Sequence, residues 1–343
     1  MRALGGVQAQ EPAAAALAVR ARHAGLTAAE VERARVEERA VVRTWGPRGT
    51  LHLVAAADLG WLLDLLGPIF MRGTRRRRAE LGLDEETTAR GVALLRDALS
   101  AAAPLTRAEI VERLGARGLR LEGQAAPHLI GYAALAGVTC CGPDQGGKPT
   151  YVLLDAWADH GRALPREAAL AELARRYLAA YGPARPEDLA AWSGLPLGEA
   201  RAGWASIAGE LREVATDGGP AWLPAAHAAW LDDPPASVPV VCLAPGYDPY
   251  LLGYRGRELV VAPEFARRVH PGGGLLHPTL LVDGRALGTW RSARRRDRLA
   301  VTVEPFAALP PEAQPGLAAE AADVARFLGA TADLRVEPPT PVG

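Results

Sequence analysis

The sequence predicts an α+β fold, mainly α, in which tandem winged-helix (helix-turn-helix) motifs are followed by a C-terminal β-barrel-like domain. Three observations predict it. Two helical stretches each run into a pair of short strands around a Gly/Pro turn. A third helix-turn-helix pattern follows them. Beyond Asp217 the composition changes to Pro- and Gly-rich stretches with short β-branched runs, the signature of a β-rich unit.

The elements follow in order. Pro12 opens an alanine-rich helix that runs to His23, because proline suits a first turn whose N–H would be unpaired anyway. A second helix spans 27–39, opened by Thr27 and Glu30 in capping-box spacing. Residues 40–43 and 50–54 then form two strands around a Gly-Pro-Arg-Gly turn. The second copy begins at Thr106 with Glu109 three residues on. It continues through a helix over 123–137, and its hairpin is made of 138–141 and 150–154. The third pattern covers 167–204. The C-terminal unit contains a hairpin with Asp283-Gly284 as its turn, a helix over 311–328, a short terminal strand and a Pro-rich tail. These elements group as 1–100, 101–160, 161–216 and 217–343.

Composition narrows the function classes. The chain has 343 residues, half of them apolar, with 39 basic and 39 acidic side chains, so its balance alone points to no polyanionic partner. Any nucleic-acid surface must come from local clustering, and from arginine, because Lys148 is the single lysine. Three cysteines (Cys140, Cys141 and Cys242) suit neither a disulfide framework nor a zinc site, and a reducing cytoplasm is the expected setting. No charged leader with an apolar run opens the chain. The most apolar stretch, 51–70, is broken by Asp58 and Asp64, so no membrane span is expected. Glycine-rich phosphate loops, metal-ligand clusters and nucleophilic triads are all missing, so no cofactor and no metal are expected.

The distinctive motif is Gln8-Ala9-Gln10, just ahead of the Pro12 helix. Side chains two apart share a side only where the backbone is extended, so two amides serving one site require an extended or looped segment here. The alternative is that they merely cap the helix. Further motifs are Arg48-Gly49-Thr50-Leu51-His52, Leu121-Glu122-Gly123-Gln124 and Gly147-Lys148-x-Thr150-Tyr151. The C-terminal region adds Gly246-Tyr247-Asp248-Pro249-Tyr250 and Gly284 to Trp290. In this order and over nearly the whole length, the chain resembles the AlkZ/YcaQ-type winged-helix DNA glycosylases.

The resemblance implies tandem winged helices followed by a β-barrel-like domain, and a monomeric, monofunctional, cytoplasmic DNA-repair enzyme whose partner is duplex DNA. It makes Gln8 and Gln10 the catalytic pair. Gln-x-Gln, as against the Gln-x-Asp of YcaQ-like relatives, implies a substrate that is already activated: a cationic N7- or N3-alkylated purine, bulky or crosslinked adducts included. Family members carry an additional helical stretch before this motif, whereas Gln8 follows seven residues, which implies either a start placed too far downstream or a truncated first motif.

Other candidates follow from that reading. The first hairpin offers Arg43, Trp45, Arg48, Thr50 and His52 to DNA, with Arg48 on phosphate and His52 near the lesion; a buried, satisfied histidine is the alternative. Arg75 and Arg76 open a four-arginine run. Arg291, Arg294, Arg295 and Arg296 form a second basic cluster behind Trp290, and His277 stands before a hairpin of the kind that approaches the lesion in the family. Asp248 reads first as a turn-initiating Asp-Pro, and is the first candidate for an assisting carboxylate. The competing functions are a winged-helix transcriptional regulator and a non-catalytic lesion binder. A twofold-symmetric DNA site and indifference to Gln8 and Gln10 mark the regulator.

Overall fold

The computed structural model describes residues 1–232 and 238–339, which pack as two units that do not follow the chain linearly. One holds Met1–Gly6 and Arg33–Leu211; the other holds Val7–Glu32 and the chain from Arg212 onward. Helices predominate, with strands in both units. The end of the Pro-rich tail, 340–343, and the Pro-containing stretch 233–237 lie outside the described residues.

In the first unit the two expected hairpins form, but not as separate flaps. Strands Val41–Trp45 and Leu51–Ala55 pair antiparallel, as do Thr139–Cys141 and Thr150–Leu153. Arg43 then pairs with Cys141, joining both hairpins into one sheet, with Leu105–Thr106 adding to its far side. Helices Leu59–Gly73, Glu85–Ala102 and Ala125–Leu135 pack around this sheet. Leu95, Ile110, Leu114, Leu129 and Ile130 are the centre of a core shared by both halves of the unit. The predicted Thr106 capping box is present, with Glu109 accepting from the Thr106 amide at 2.7 Å. The third helical group is Arg166–Tyr181, Pro186–Ser193 and Leu197–Ser206, held by Trp192 against Tyr177 and Tyr181 at ring separations of 5.4 and 5.7 Å.

Backbone approach sets the helix packing. A Cβ at Gly67, inside Leu59–Gly73, would collide with the Leu135 carbonyl oxygen at the end of Ala125–Leu135. Backbone cannot swing aside as a side-chain tip can, so the two helices must separate. Gly67→Ala is therefore expected to cost about 2–3 kcal/mol, read as a lower denaturant midpoint at unchanged m. A wild-type midpoint would refute the close contact.

The second unit is built on a five-stranded sheet in the order Thr331–Val336, Arg298–Pro305, Arg285–Arg295, Thr279–Val282, Val241–Ala244. All pairs are antiparallel except the first, which is parallel because helix Gln314–Phe327 carries the chain across between them. The outer strands do not pair with each other, so the expected barrel is instead an open sheet. Helix Gln314–Phe327 covers it, packing Phe327, Val324 and Leu317 on Leu243, Val301 and Val303. The Asp283-Gly284 turn is as predicted, with both residues in the left-handed region (φ 49° and 76°), as a two-residue hairpin turn requires. Helix Pro12–Arg20 belongs to this unit, its Leu17 entering the same core. No helix among the described residues is long and apolar enough to cross a membrane.

Candidate active site and nucleic-acid interface

The glutamine pair sits where an extended strand becomes a helix. Val7–Gln8 is extended, Ala9 is fully buried, and the helix starts at Pro12 without a side-chain cap. The Gln8 Nε2 amide donates to Gln10 Oε1 at 2.6 Å, so the two side chains share one side of the segment, as two amides serving one site must. Neither caps the helix; its N-cap position is Glu11. The shared bond uses the donor half of Gln8 and the acceptor half of Gln10. A glutamine amide carries both an acceptor oxygen and a donor NH₂ group, so the pair brings one of each kind beyond this bond to its surroundings.

Two arginines at the other end of the same helix fasten it. Arg20, 3% exposed, reaches Glu320 at 3.0 Å and Asp323 at 3.1 Å on the long helix of this unit. Arg22 forms a fork on Asp248, with Nη1–Oδ2 at 2.9 Å and Nη2–Oδ1 at 2.6 Å. Asp248 is 1% exposed and also accepts the Tyr250 amide at 2.8 Å, capping the turn Pro249–Leu252. The carboxylate named from sequence as a possible catalytic assistant therefore has both oxygens committed to holding the Gln-bearing helix.

The first hairpin's candidates turn inward. Arg43 and His52 are buried, Trp45 packs on Gly131, and Thr50 donates to the Pro47 carbonyl at 3.2 Å. Arg48, in the left-handed region at φ 56°, donates to the Trp192 carbonyl. The reason is the joined sheet: strand Val41–Trp45 has a neighbour on each side, so its side chains line the interior where an open wing would present them to DNA. The buried-histidine alternative is the one the structure adopts.

Burial, then the nearby Arg48 charge, lowers the His52 pKa to about 3, against the pull of its bond to the Thr50 carbonyl at 3.0 Å. His52 is thus neutral at working pH and offers neither a cation nor a titrating proton. The unfolded chain, with an ordinary histidine near pH 6.5, binds a proton in the window from about 6.5 down to about 3 that the folded chain refuses. Stability from this group is complete above pH 6.5 and falls with acid by about 1.4 kcal/mol per pH unit. His52→Asn, which keeps a donor to Thr50, is expected to flatten the fall in unfolding free energy between pH 6 and 4. Parallel wild-type and variant curves would exclude it.

The basic clusters divide by commitment. Arg75 pairs with Glu85 at 3.0 Å and Arg76 with Glu80 at 3.1 Å, while Arg78 is buried. In the C-terminal unit Arg291 is held by Glu304 and Glu337. Arg294 donates to the carbonyls of Leu328 and Gly329, ending the long helix. Beyond them the hairpin Arg285–Arg295/Arg298–Pro305 exposes its whole tip. There the side chains of Arg295, Arg296 and Arg298 have no hydrogen-bond or ion-pair partner among the described residues. Arg298 was missed in the sequence; its signal was Arg296-Asp297 acting as a two-residue turn that brings Arg298 opposite Arg295. His277 is not at a tip: its Nδ1 is bonded to the Arg268 carbonyl at 2.9 Å. Among the described residues no three His, Cys, Asp or Glu side chains gather as metal ligands.

Comparison with known proteins gives this arrangement its class. A curated relative, the interstrand DNA cross-link repair glycosylase of Streptomyces sahachiroi, is 31% identical over 342 residues, spanning 94% of this chain and 88% of its own. The solved structure of the Streptomyces sahachiroi DNA glycosylase AlkZ matches with a TM-score of 0.81 and 29% identity, covering 98% of this chain and 92% of that one. The fold is that of a DNA glycosylase. The chain belongs to the DNA glycosylase AlkZ-like family, whose profile matches residues 1–327, in agreement with the resemblance carried by the motifs.

Proposed function

We propose that this chain hydrolyses the N-glycosidic bond of cationic N7- or N3-alkylated purines in duplex DNA, bulky and crosslinked adducts included, leaving an abasic site. The observation that carries this reading is the Gln8–Gln10 amide pair on one side of an extended segment. Cleavage passes through an oxocarbenium-like sugar. An ordinary base needs an acid in order to leave, and an amide is not one. An alkylated purine carries its positive charge already and departs neutral, so no proton donor is needed. What remains is to hold a water against C1′, and the Gln8 carbonyl as acceptor with the Gln10 NH₂ as donor suits that task. Released protons pass to solvent. Once C1′–O forms and the C1′–N bond breaks, the products are an abasic deoxyribose and a neutral base.

In this reading Asp248, Arg22 and Arg20 are positioning residues. The helix-hairpin segments serve as winged-helix modules, and the exposed tip arginines Arg295, Arg296 and Arg298 contact phosphates, which planar guanidinium forks suit. The enzyme acts as a cytoplasmic monomer without a cofactor. The substrate class is tested by single-turnover base release from matched duplexes. Release of 7-methylguanine and 3-methyladenine is expected with none of uracil or unmodified adenine; uracil release at a comparable rate would reject the cationic-leaving-group reading.

A further inference from the structure

We propose that a recess in the first unit, between the end of helix Leu59–Gly73 and helix Ala125–Leu135, binds a backbone phosphate of duplex DNA. The partner rests on the proposed action on duplex DNA; the site is argued from its own chemistry. The recess encloses about 520 Å³, with Pro68, Met71 and Tyr132 forming apolar walls. Three arginines face it: Arg72, Arg75 and Arg78.

Their states differ in a way that suits an anion. Arg78 is built in, 2% exposed, its guanidinium 4.3 Å over the Tyr132 ring and its Nη1 donating to the Met71 carbonyl at 2.7 Å and to Thr74 at 3.0 Å. Its Nε is buried with no hydrogen-bond partner. Arg75 meets the single carboxylate of the recess, Glu85, through Nε. Arg72 stands exposed at the rim and makes no ion pair or side-chain hydrogen bond among the described residues. Three guanidinium groups against one carboxylate leave an excess of positive charge on a surface with one uncommitted fork, the geometry that takes a phosphate bidentately. Burial, and then the charges of Arg77 and Arg78, hold the nearby His128 imidazole below its ordinary pKa, which makes it a reporter of an anion arriving here. The four-arginine run drew attention in the sequence, but its exposed members are paired with Glu80 and Glu85; the uncommitted charge is the residue just before it.

The test is the salt dependence of binding to undamaged duplex DNA. Loss of one phosphate contact is expected to lower the log K against log [KCl] slope of Arg72→Ala by about 0.9, and to weaken binding about fivefold near ~0.15 M salt. Arg72→Lys, which keeps the charge, is expected to recover most of the slope. Arg212→Ala, an exposed arginine of the other unit, should leave it unchanged. A wild-type slope in Arg72→Ala, or an equal loss in Arg212→Ala, overturns the assignment. NMR titration of His128 separates the phosphate sources. A rise in its pKa on adding duplex, absent in Arg72→Ala, supports the backbone phosphate. A rise with millimolar inorganic phosphate, together with an unaltered DNA slope, would make the recess a site for free phosphate and overturn the DNA assignment. Because the duplex is undamaged, failure of the glycosylase reading would show in base release and not in these slopes.

Discussion

Arg22→Ala is expected to destabilise the C-terminal unit by about 3–5 kcal/mol, the cost of stranding a buried charge. Asp248 is 1% exposed and, without Arg22, keeps only the Tyr250 amide as a described partner. The reverse deletion is milder. In Asp248→Asn the Tyr250 amide still meets a carbonyl oxygen, and the Arg22 side chain, 28% exposed, can turn its charge to water. The double change Arg22→Met with Asp248→Asn removes both charges and should recover most of the loss, since replacing a buried pair costs far less than breaking it. Denaturant melts followed by tryptophan fluorescence give the three values. Equal losses in the two single variants would mean that the fork is not the asymmetric clamp described here.

In the proposed function that clamp positions the amides, because Arg22 lies just past the helix that Gln8 and Gln10 precede. On the same proposal, removing the amides themselves acts on the reaction directly. Gln8→Ala with Gln10→Ala is expected to slow base release about 10²- to 10³-fold, the range for losing a group that stabilises or orients the reacting atoms. Stability should change little in comparison. Gln10 is exposed and Gln8 mostly buried, and the bond between them is a local one across two residues. The single variants are expected to fall near the double, because each amide orients the other and the pair acts as a unit.

Local chemistry was legible in the sequence. The boxes at Thr27/Glu30 and Thr106/Glu109, the proline opening the first helix and the Asp283-Gly284 turn each depend on residues within a few positions, and each formed. What could not be read were pairings over long separations. Nothing local tells strand Val41–Trp45 that Thr139–Cys141 lies beside it, and that pairing is what buries Arg43 and His52. Nothing local assigns residues 7–32 to the C-terminal unit; the tie is Arg20 to Glu320 and Asp323, some three hundred positions away. Short β-branched runs announced strands beyond Asp217, but whether a sheet closes depends on its edges, and here they stay apart. Arg76 was partly legible: its Glu80 stands four residues on, the spacing at which helical side chains meet. The Gln-x-Gln motif was visible because its geometry needs only two residues on an extended backbone.

In the proposed reaction an amide pair, without a titrating acid, releases a cationic base. This is tested most directly by single-turnover release of 7-methylguanine from duplex DNA, wild type beside Gln8→Ala/Gln10→Ala, with DNA binding measured on the same preparations. Rapid release by the wild type, lost about 10²- to 10³-fold in the variant while binding persists, is the expected result. Release that survives removal of both amides would contradict it.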